Sequence, residues 1–435
     1  MDAEQKGKKG ADANDKKITR AVRNTGDGKN RTIGAEKKER RHARKRSGGI
    51  LERAGFEIVP PDGNAVKLAV KLAMTAAAVA AVLLMLLAGA DLSPSAVLQG
   101  MKDKHAFTHA SGRGFPIEVH GSHAIGTACV TKGTAVLTDT SFTIYDSKGR
   151  EVVNESHHIA SPLMENAEKF SLLYDKMGKK FMLRTLSGKK CSGETEDSII
   201  CADVAPTGRF AFVTSSELTN AKVAVYSSEG EIIHRWKSVD NKLSDIALSP
   251  SGKYVAVSGV SAKNGVLVSS VIIQQVGAKK NLWELTFEDS LIIDIRFCGN
   301  ARIAAIADDF AGYIDIDSGR LTDYPFNSRI LNCYDIKDNG EMALVFSENS
   351  DGRNASVVVI DDECHTLAEI DTSMTSPYVD LEGGRISLLD ESEVICYNYK
   401  GKHIARAEVS ADCQGIFTSQ GRLLAKGMMT LADVF

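Results

Sequence analysis

Short apolar runs bounded by glycine turns recur along the chain from about residue 112 to the C-terminus. Many of these runs pair as hairpins, with a turn between two strand-like stretches. The turns of these hairpins lie at Gly149, Gly188, Gly230, Gly277, Gly319, Glu363 and Gly401. Successive turns are 38 to 47 residues apart. Hairpins of this kind are typical of antiparallel β-structure.

A second turn-and-strand signal precedes each hairpin. Its turn positions are Gly133, Ala167, Gly208, Gly252, Gly299, Gly340, Gly384 and Gly421. Two interleaved signals in a unit of about 40 residues predict a four-stranded blade that is repeated around a ring. The pattern therefore predicts an all-β fold, a β-propeller over residues 112–435.

The number of signals also predicts how the ring closes. Eight inner-strand signals accompany seven outer hairpins, so the chain ends one strand short of a complete blade. The run GFPIEVHG at residues 114–121 can supply that strand, and a blade made from both chain ends leaves no free sheet edge. We therefore predict eight blades. Seven blades are the alternative, because the unit at Ala167 lacks its turn glycine.

A different pattern occupies residues 72–90, which are 19 consecutive uncharged residues without a polar stripe. At about 1.5 Å per residue, a helix of this length spans the hydrocarbon core of a bilayer. Residues 67–90 are predicted to be a transmembrane signal anchor, followed by a juxtamembrane stalk at 91–111. Cleavage after Ala90 is an alternative, but the long preceding segment favours an uncleaved anchor.

Charge divides sharply at this span. The 71 residues before it hold 19 Lys or Arg against 10 Asp or Glu, whereas the 345 residues after it hold 34 against 46. Basic segments next to a membrane helix stay in the cytoplasm. The pattern predicts a single-pass cell-membrane protein with a cytoplasmic N-terminus and an extracytoplasmic propeller.

Residues 1–66 form a basic tail that carries too few apolar side chains to bury a core, and we predict that it is disordered. Its densest charge lies at Arg40, Arg41, Arg44, Lys45 and Arg46. This cluster is predicted either to be a solvated tail that sets topology or to attract anionic inner-leaflet lipid. The lack of interleaved aromatic residues disfavours nucleic acid.

Two segments carry a resemblance to known families. SDIALSPSGKYVAVSG at residues 244–259, and CADVAPTGRFAFVTS from Cys201, resemble WD40-like and TolB-like propeller repeats. The hairpins with a turn glycine resemble quinoprotein-type, BamB-like blades. The whole layout is similar to an uncharacterised family of clostridial single-pass membrane proteins, defined only as a domain of unknown function. The resemblance implies an architecture and no activity.

The chain shows no motif for a known chemistry. It has no Gly-x-Ser-x-Gly nucleophile elbow, no phosphate-binding glycine loop and no adjacent cysteines. We therefore predict no catalytic residue and no cofactor. The candidates for a zinc or copper site are His105, His109, His120 and His123, although their spacing matches no standard site and a solvated stalk is the alternative.

All eight cysteines follow the predicted span, in a compartment that permits disulfides. Cys191 and Cys201 are the candidate pair, because ten residues can connect an outer strand to the next inner one. Most of the others lie in strand-like runs and are predicted to be small core residues.

The architecture favours a non-catalytic interaction or scaffold module at the cell envelope. A propeller presents its channel mouth and loops as a rigid docking face for an envelope protein, a peptide or a wall polymer. The acidic charge of the propeller disfavours anionic polymers and favours positively charged partners. The alternative is a ligand-sensing or enzymatic propeller, which buried, convergent carboxylates in the central channel would indicate.

Overall fold

The computed structural model describes residues 110–347, 355–375 and 378–435, together with Lys71 and Thr75. The fold described below belongs to the unit Leu92–Phe435. The predicted tail lies outside the described residues, as does the predicted span apart from Lys71 and Thr75. Among the residues that are described, none belongs to a helix with the length and apolarity needed to cross a membrane.

The described chain is built from short strands. In chain order they are β1 (Ile117–Glu118), β2 (Ala124–Val130), β3 (Gly133–Thr138), β4 (Ser141–Asp146), β5 (Glu151–Ser156), β6 (Pro162–Ala167), β7 (Phe170–Asp175), β8 (Lys180–Thr185), β9 (Gly188–Glu194), β10 (Ile199–Val204), β11 (Phe210–Thr214), β12 (Ala221–Tyr226), β13 (Ile232–Ser238), β14 (Lys242–Leu248), β15 (Tyr254–Lys263), β16 (Val266–Gln275), β17 (Asn281–Glu288), β18 (Ile292–Cys298), β19 (Arg302–Ala307), β20 (Phe310–Asp315), β21 (Leu321–Pro325), β22 (Ile330–Ile336), β23 (Met342–Ser347), β24 (Ser356–Ile360), β25 (Thr366–Asp371), β26 (Tyr378–Glu382), β27 (Arg385–Asp390), β28 (Glu393–Asn398), β29 (His403–Glu408), β30 (Gly415–Ser419), β31 (Arg422–Lys426) and β32 (Thr430–Asp433).

These strands form eight four-stranded antiparallel sheets within the described residues, which confirms the eight-bladed propeller. Blades 1 to 7 take four consecutive strands each, from β2–β5 to β26–β29. Blade 2 is the irregular unit at Ala167, and it is complete. Its first turn uses Glu168 at φ 49°, in the left-handed region that a glycine normally occupies.

Blade 8 closes the ring as the strand count predicts. Its order is β30, β31, β32 and then β1, which comes from the other end of the folded unit. Ile117 pairs with Leu431, and the backbone N–H of Val119 donates to the carbonyl of Met429 at 2.9 Å. Both Ile117 and Val119 are buried. The two ends of the ring are thus held by backbone hydrogen bonds and by apolar packing.

The burial of each strand follows from its position in the blade. The middle strands lie between two neighbouring blades, so side chains on both faces are apolar and buried, as in RIAAIA of β19. The outermost strands face solvent on one side and alternate, as in NLWELTFE of β17. The two kinds of pattern correspond to the two signals of the repeat.

The meander of each blade defines two faces of the propeller. We call upper face the end at which the innermost strands begin and at which the second and third strands of each blade connect. The lower face carries the turns between the first and second strands and between the third and fourth strands. Gly319, at φ 67°, lies in such a lower turn, and Trp283 of the preceding blade packs directly on it. A Cβ atom there would lie 2.5 Å from the Trp283 ring, so only glycine fits.

Adjacent blades pack through large side chains. Between blades 2 and 3, Phe181 contacts Phe210, Phe212 and Tyr226, and the Phe210 and Tyr226 rings stack with centroids 5.0 Å apart. Aromatic pairs of this kind add about 0.5–1.5 kcal/mol each beyond their buried area. The core is therefore a ring of inter-blade contacts around the channel.

Candidate functional site

Aspartates on the innermost strands connect each blade to the next. In four cases, an aspartate oxygen accepts a hydrogen bond from a backbone N–H on the innermost strand of the following blade. The donors and acceptors are Leu248 N to Asp203 Oδ2 (2.6 Å), Ile295 N to Asp245 Oδ2 (2.9 Å), Leu381 N to Asp335 Oδ2 (2.8 Å) and Thr418 N to Asp380 Oδ1 (2.9 Å). These bonds place carboxyl groups at the wall of the central channel. We call them the aspartate latches.

Four carboxyl groups from blades 2 to 5 converge in this channel and form what we call the channel cluster, namely Glu165, Asp203, Asp245 and Asp294. Asp294 lies close enough to Asp245 for its charge to raise the pKa of the Asp245 carboxyl group. All four residues are half-buried. Convergent carboxyl groups in the channel are the feature that would indicate a ligand-sensing or enzymatic propeller.

Burial and mutual repulsion shift the acidity of the channel cluster. Burial, together with the charges of Asp203 and Asp245, raises the pKa of Glu165 to about 8. Burial also raises the pKa of Asp203 to about 7, against the hydrogen bonds from Leu248 and Val204. The pKa of Asp245 is raised by burial and then by Asp294. Near neutral pH the cluster therefore holds protons that isolated carboxylates would release.

The nearest cation compensates the channel cluster only in part. Arg296 follows Asp294 on β18, but its guanidinium donates to the Ile336 carbonyl at 3.1 Å and to Asp338 at 3.0 Å, toward blade 6. The Tyr334 hydroxyl donates to Asp294 at 3.1 Å. A cavity of about 470 Å³ opens beside the cluster toward the lower face, lined by Asp203, Arg296, Pro206, Pro250 and Asp338.

Blades 6 and 7 carry a compensated version of the same arrangement. Lys337 places its ammonium 2.9 Å from Asp335, 3.6 Å from Asp380 and 3.9 Å from Glu382. Burial lowers the pKa of Lys337, but the neighbouring carboxylates outweigh burial and raise it. One side of the channel wall is therefore an ion-paired network, while the other side is acidic.

A second concavity lies outside the channel, between the outer strands of blades 2 and 3. It has a volume of about 600 Å³ and is lined by Cys191, Tyr226, Trp236 and charged side chains. Those charges are already paired, since Lys222 lies 2.5 Å from Asp197 and Lys190 lies 3.2 Å from Glu229. This groove offers little unpaired charge to a ligand.

The two predicted histidines that are described do not come together. His120 lies 2.8 Å from Glu151, and His123 lies 2.9 Å from the Ser122 hydroxyl. His105 and His109 lie outside the described residues, as does the basic cluster from Arg40 to Arg46. Across the described residues, no group of three or more His, Cys, Asp and Glu side chains is arranged to hold a metal ion.

The structure does not bring Cys191 and Cys201 together either, and both are free thiols. Cys191 lies on β9, the outermost strand of blade 2, where it packs against Gly230. Cys201 lies on β10, the innermost strand of blade 3, next to Asp245 and Glu165. Three strand spacings of about 4.8 Å separate the two radial positions, more than a disulfide can bridge.

No motif in the sequence identified the residues of the channel cluster. Its signal in the sequence is an aspartate on each of several inner strands, at positions 203, 245, 294, 335 and 380. The spacing of 41 to 49 residues between them follows the blade repeat. The repeat does not by itself show that the carboxyl groups of different blades meet in one channel.

Large apolar side chains are exposed mainly on the upper face. In the described residues those at or next to upper-face loops are Met177, Leu218, Val239, Val266, Leu267, Leu291, Ile293, Ile330, Tyr378, Met428 and Met429. The remaining ones are Ile232, Leu282, Leu367, Ile404 and Phe435, near the lower end of outer strands or at the C-terminus. The upper face therefore exposes more large apolar side chains than the lower face does.

Eight closed blades with a WD40-like repeat define the class of this protein, a β-propeller with an acidic channel. The chain belongs to a family described as a family of unknown function (DUF5711), whose model matches residues 117–430. The match runs from the first residue of β1 to the first residue of β32, which is nearly the whole ring. No curated protein matches the chain.

Solved structures show the same fold at low identity. A eukaryotic initiation factor is 14% identical, with a TM-score of 0.52 over 76% of this chain and 92% of that one. Sqt1 of Chaetomium thermophilum, bound to the N-terminus of the ribosomal protein L10, is 11% identical, with a TM-score of 0.51 over 74% and 100%. BamB of Moraxella catarrhalis is 14% identical, with a TM-score of 0.48 over 74% and 96%. At these identities the likeness shows the fold alone.

Proposed function

We propose that this protein is a non-catalytic interaction module at the cell envelope, a propeller that docks a protein or peptide partner outside the cytoplasm. The observation that carries the proposal is the concentration of exposed apolar side chains on the upper face. Exposed apolar patches of soluble domains commonly mark interaction sites. A closed propeller with a similar fold, Sqt1, is described bound to a protein terminus, which is consistent with this use of the fold.

The membrane part of the proposal rests on the sequence. The uncharged segment 72–90 serves as an uncleaved anchor, and the charge difference across it places the basic tail in the cytoplasm. Arg40, Arg41, Arg44, Lys45 and Arg46 then lie near anionic inner-leaflet lipid. The similarity to clostridial single-pass membrane proteins supports the same layout.

Protease treatment of intact protoplasts tests this topology. Blots are made separately for residues 1–60 and for the last 100 residues, with detergent-lysed cells as the control. Loss of the C-terminal signal while the tail survives is the expected result. Loss of the tail with a protected propeller would instead place the propeller in the cytoplasm and end the envelope proposal.

The second candidate function is ligand sensing or catalysis in the channel. It is favoured by the convergence of Glu165, Asp203, Asp245 and Asp294 and by the raised pKa values of the first three, which are features of functional sites. Thermal shift of the full-length protein with cationic compounds separates the two functions. Stabilisation that disappears in a Glu165→Gln, Asp245→Asn double variant supports the channel function, and an unchanged melting temperature with every compound opposes it.

A further inference from the structure

We propose that the upper surface of blades 3 to 5 binds a partner segment in which aliphatic or aromatic side chains are flanked by Lys or Arg. This inference rests on the proposed function and gives the docking site and the chemistry of the partner. Its centre is the hairpin of β15 and β16 in blade 4, which we call the blade 4 hairpin.

The blade 4 hairpin projects beyond its own sheet. The neighbouring strand β14 pairs up to Val260, and β17 pairs up to Val268. Residues 261–263 and Val266 pair only across the hairpin, whereas the Leu267 carbonyl also accepts a hydrogen bond from Asp289, just beyond the end of β17. Asn264 and Gly265 form the two-residue turn with positive φ angles. The three further residues of β15 extend the tip by about 10 Å. The second and third strands of the other blades, which also join at upper turns, have four to six residues among the described residues.

The tip carries apolar side chains that the fold does not bury. Val266 is 37% exposed and Leu267 is 44% exposed. A two-stranded ribbon has no core of its own, so valine and leucine at this position do not stabilise it by burial. Apolar residues on such a projection are explained by a surface that covers them.

Adjacent upper-face loops add four more apolar side chains to the same region. Leu291 and Ile293 belong to the connection and strand that follow β17, and the backbone N–H of Asp289 donates to the Leu267 carbonyl at 3.1 Å. Leu218 lies in the turn between β11 and β12, and Val239 lies between β13 and β14. Their exposed fractions are 39% for Leu291, 48% for Ile293, 93% for Leu218 and 67% for Val239.

The charge around these side chains is acidic and unpaired. From the β11–β12 turn to the β19–β20 turn, the unpaired charges of the upper loops and adjoining strand ends are Glu217, Asp240, Glu288, Asp289, Asp308 and Asp309 against Lys237, Lys242 and Lys263. Over the residues that the structure describes, the salt bridges include none of these nine side chains, whereas Lys222 in the same stretch is paired with Asp197. The excess of three negative charges complements a basic partner and disfavours anionic lipid or a second copy of the same surface.

The carboxylates have no other structural use that would account for all of them. Asp308 accepts a hydrogen bond from the Leu291 N–H at 2.8 Å, and Asp309 accepts one from the Ser290 hydroxyl at 2.9 Å. Glu217, Asp240 and Glu288 accept none from the described residues. Apolar contacts in the centre with opposite charges at the rim are the usual anatomy of an interface.

A peptide selection on the full-length protein in detergent tests this inference. The probe is a phage-displayed library of random peptides, selected against the wild-type protein. Enriched sequences are expected to combine Leu, Ile, Val or aromatic residues with Lys or Arg. Synthetic peptides from the selection are then measured by fluorescence anisotropy at two salt concentrations.

Three variants locate the binding surface. Leu267→Ser should weaken binding about tenfold, since central apolar contacts dominate interfaces. A Glu217→Lys, Asp240→Lys, Glu288→Lys triple variant should weaken binding further and remove its salt dependence. Ile404→Ser, on an exposed outer strand of blade 7, is the control and should bind like the wild type.

The outcomes separate this inference from the proposed function. Enriched peptides that bind all variants equally would overturn the assigned surface while a peptide-binding propeller remains. Enriched peptides without basic residues would overturn the partner chemistry. No enrichment above background would contradict both this inference and peptide binding by the propeller.

Discussion

The two sides of the channel wall use the same aspartate latch but balance its charge differently. In blades 6 and 7, Asp335 and Asp380 share Lys337, so both carboxylates are ion-paired. In blades 3 and 4, Asp203 and Asp245 hold equivalent backbone N–H groups without a cation of their own, and their pKa values are raised. The same hydrogen bond is thus compatible with a charged or a partly protonated carboxyl group, and the neighbours decide which.

The propeller repeat thus preserves the geometry of the aspartate latch while the electrostatics around it vary. The latch geometry serves the ring, because it links consecutive blades at the channel. The surplus of carboxyl groups in blades 2 to 5 does not serve the ring, because repulsion between buried charges costs stability. A region that retains buried carboxyl groups in spite of this loss of stability is a candidate for function. For this reason the acidic side of the channel is the second candidate site.

The largest expected loss of stability comes from opening the ring, because both sides of the channel wall depend on its closure. Ile117→Asp places a charge at the buried pairing with Leu431 and should cost about 3–5 kcal/mol. Chemical denaturation of the full-length protein measures the loss. Ile404→Asp, at an exposed position on β29, is the matched control and should change stability by less than about 0.5 kcal/mol. Equal stability of the two variants would contradict closure by β1.

Removing the cation should make the compensated side resemble the acidic one. Lys337→Met leaves Asp335 and Asp380 without their shared partner, and we expect a loss of about 1–3 kcal/mol near neutral pH. Because the freed carboxyl groups should then take up protons, the loss should shrink at pH 5. Lys402→Met, at an exposed position, is the control. A loss that is independent of pH would show that Lys337 acts by packing rather than by charge.

Neutralising one latch on each side gives a direct comparison. Asp380→Asn removes a buried charge that Lys337 needs, and it should cost about 1–3 kcal/mol. Asp203→Asn loses one of two hydrogen bonds from backbone N–H groups but relieves repulsion, so its net cost should be below about 1 kcal/mol. Denaturation of both variants at pH 8 measures the difference. Equal costs would mean that the two sides do not differ in their electrostatics.

The raised pKa values on the acidic side should make the stability of the fold depend on pH. Because the pKa of Glu165 rises to about 8 on folding and that of Asp203 to about 7, the folded protein binds more protons than the unfolded chain between about pH 4 and pH 8. The stability that these groups contribute is therefore present at low pH and is lost as the pH rises through this range. Thermal denaturation at pH 5 and pH 8 measures it.

Glu165→Gln should flatten this dependence and raise stability at pH 8 by about 3–5 kcal/mol. Glu408→Gln, on an exposed outer strand of blade 7, is the control and should leave the dependence unchanged. If Glu165→Gln keeps the full slope between pH 5 and pH 8, the carboxyl group does not titrate near neutrality and the acidic side loses its distinguishing property.

Much of the fold could be read from local patterns. A glycine turn between two apolar runs specifies a hairpin through the chain's own geometry, and the repetition of that unit specifies a ring. The run at 114–121 was predicted as the closing strand because the last blade lacked one, and β1 confirms it. Whether Cys191 bonds to Cys201, and whether the histidines share a metal ion, depends on distances in space. A repeat of about 40 residues does not specify those distances.

The blade repeat, the candidate for the closing strand and the division of charge along the chain follow from the sequence alone, which favoured eight blades and kept seven as the alternative until the structure gave eight. All of these follow from contacts or counts between residues near one another in the chain, or from the ring's need to leave no edge. Which carboxyl groups meet depends on the tertiary structure. Glu165 and Asp294 are 129 residues apart in the sequence, yet the charge of Asp294 contributes to the raised pKa of Glu165. Electrostatic interaction depends on distance in space and on burial, and both were set only when the blades closed around their axis.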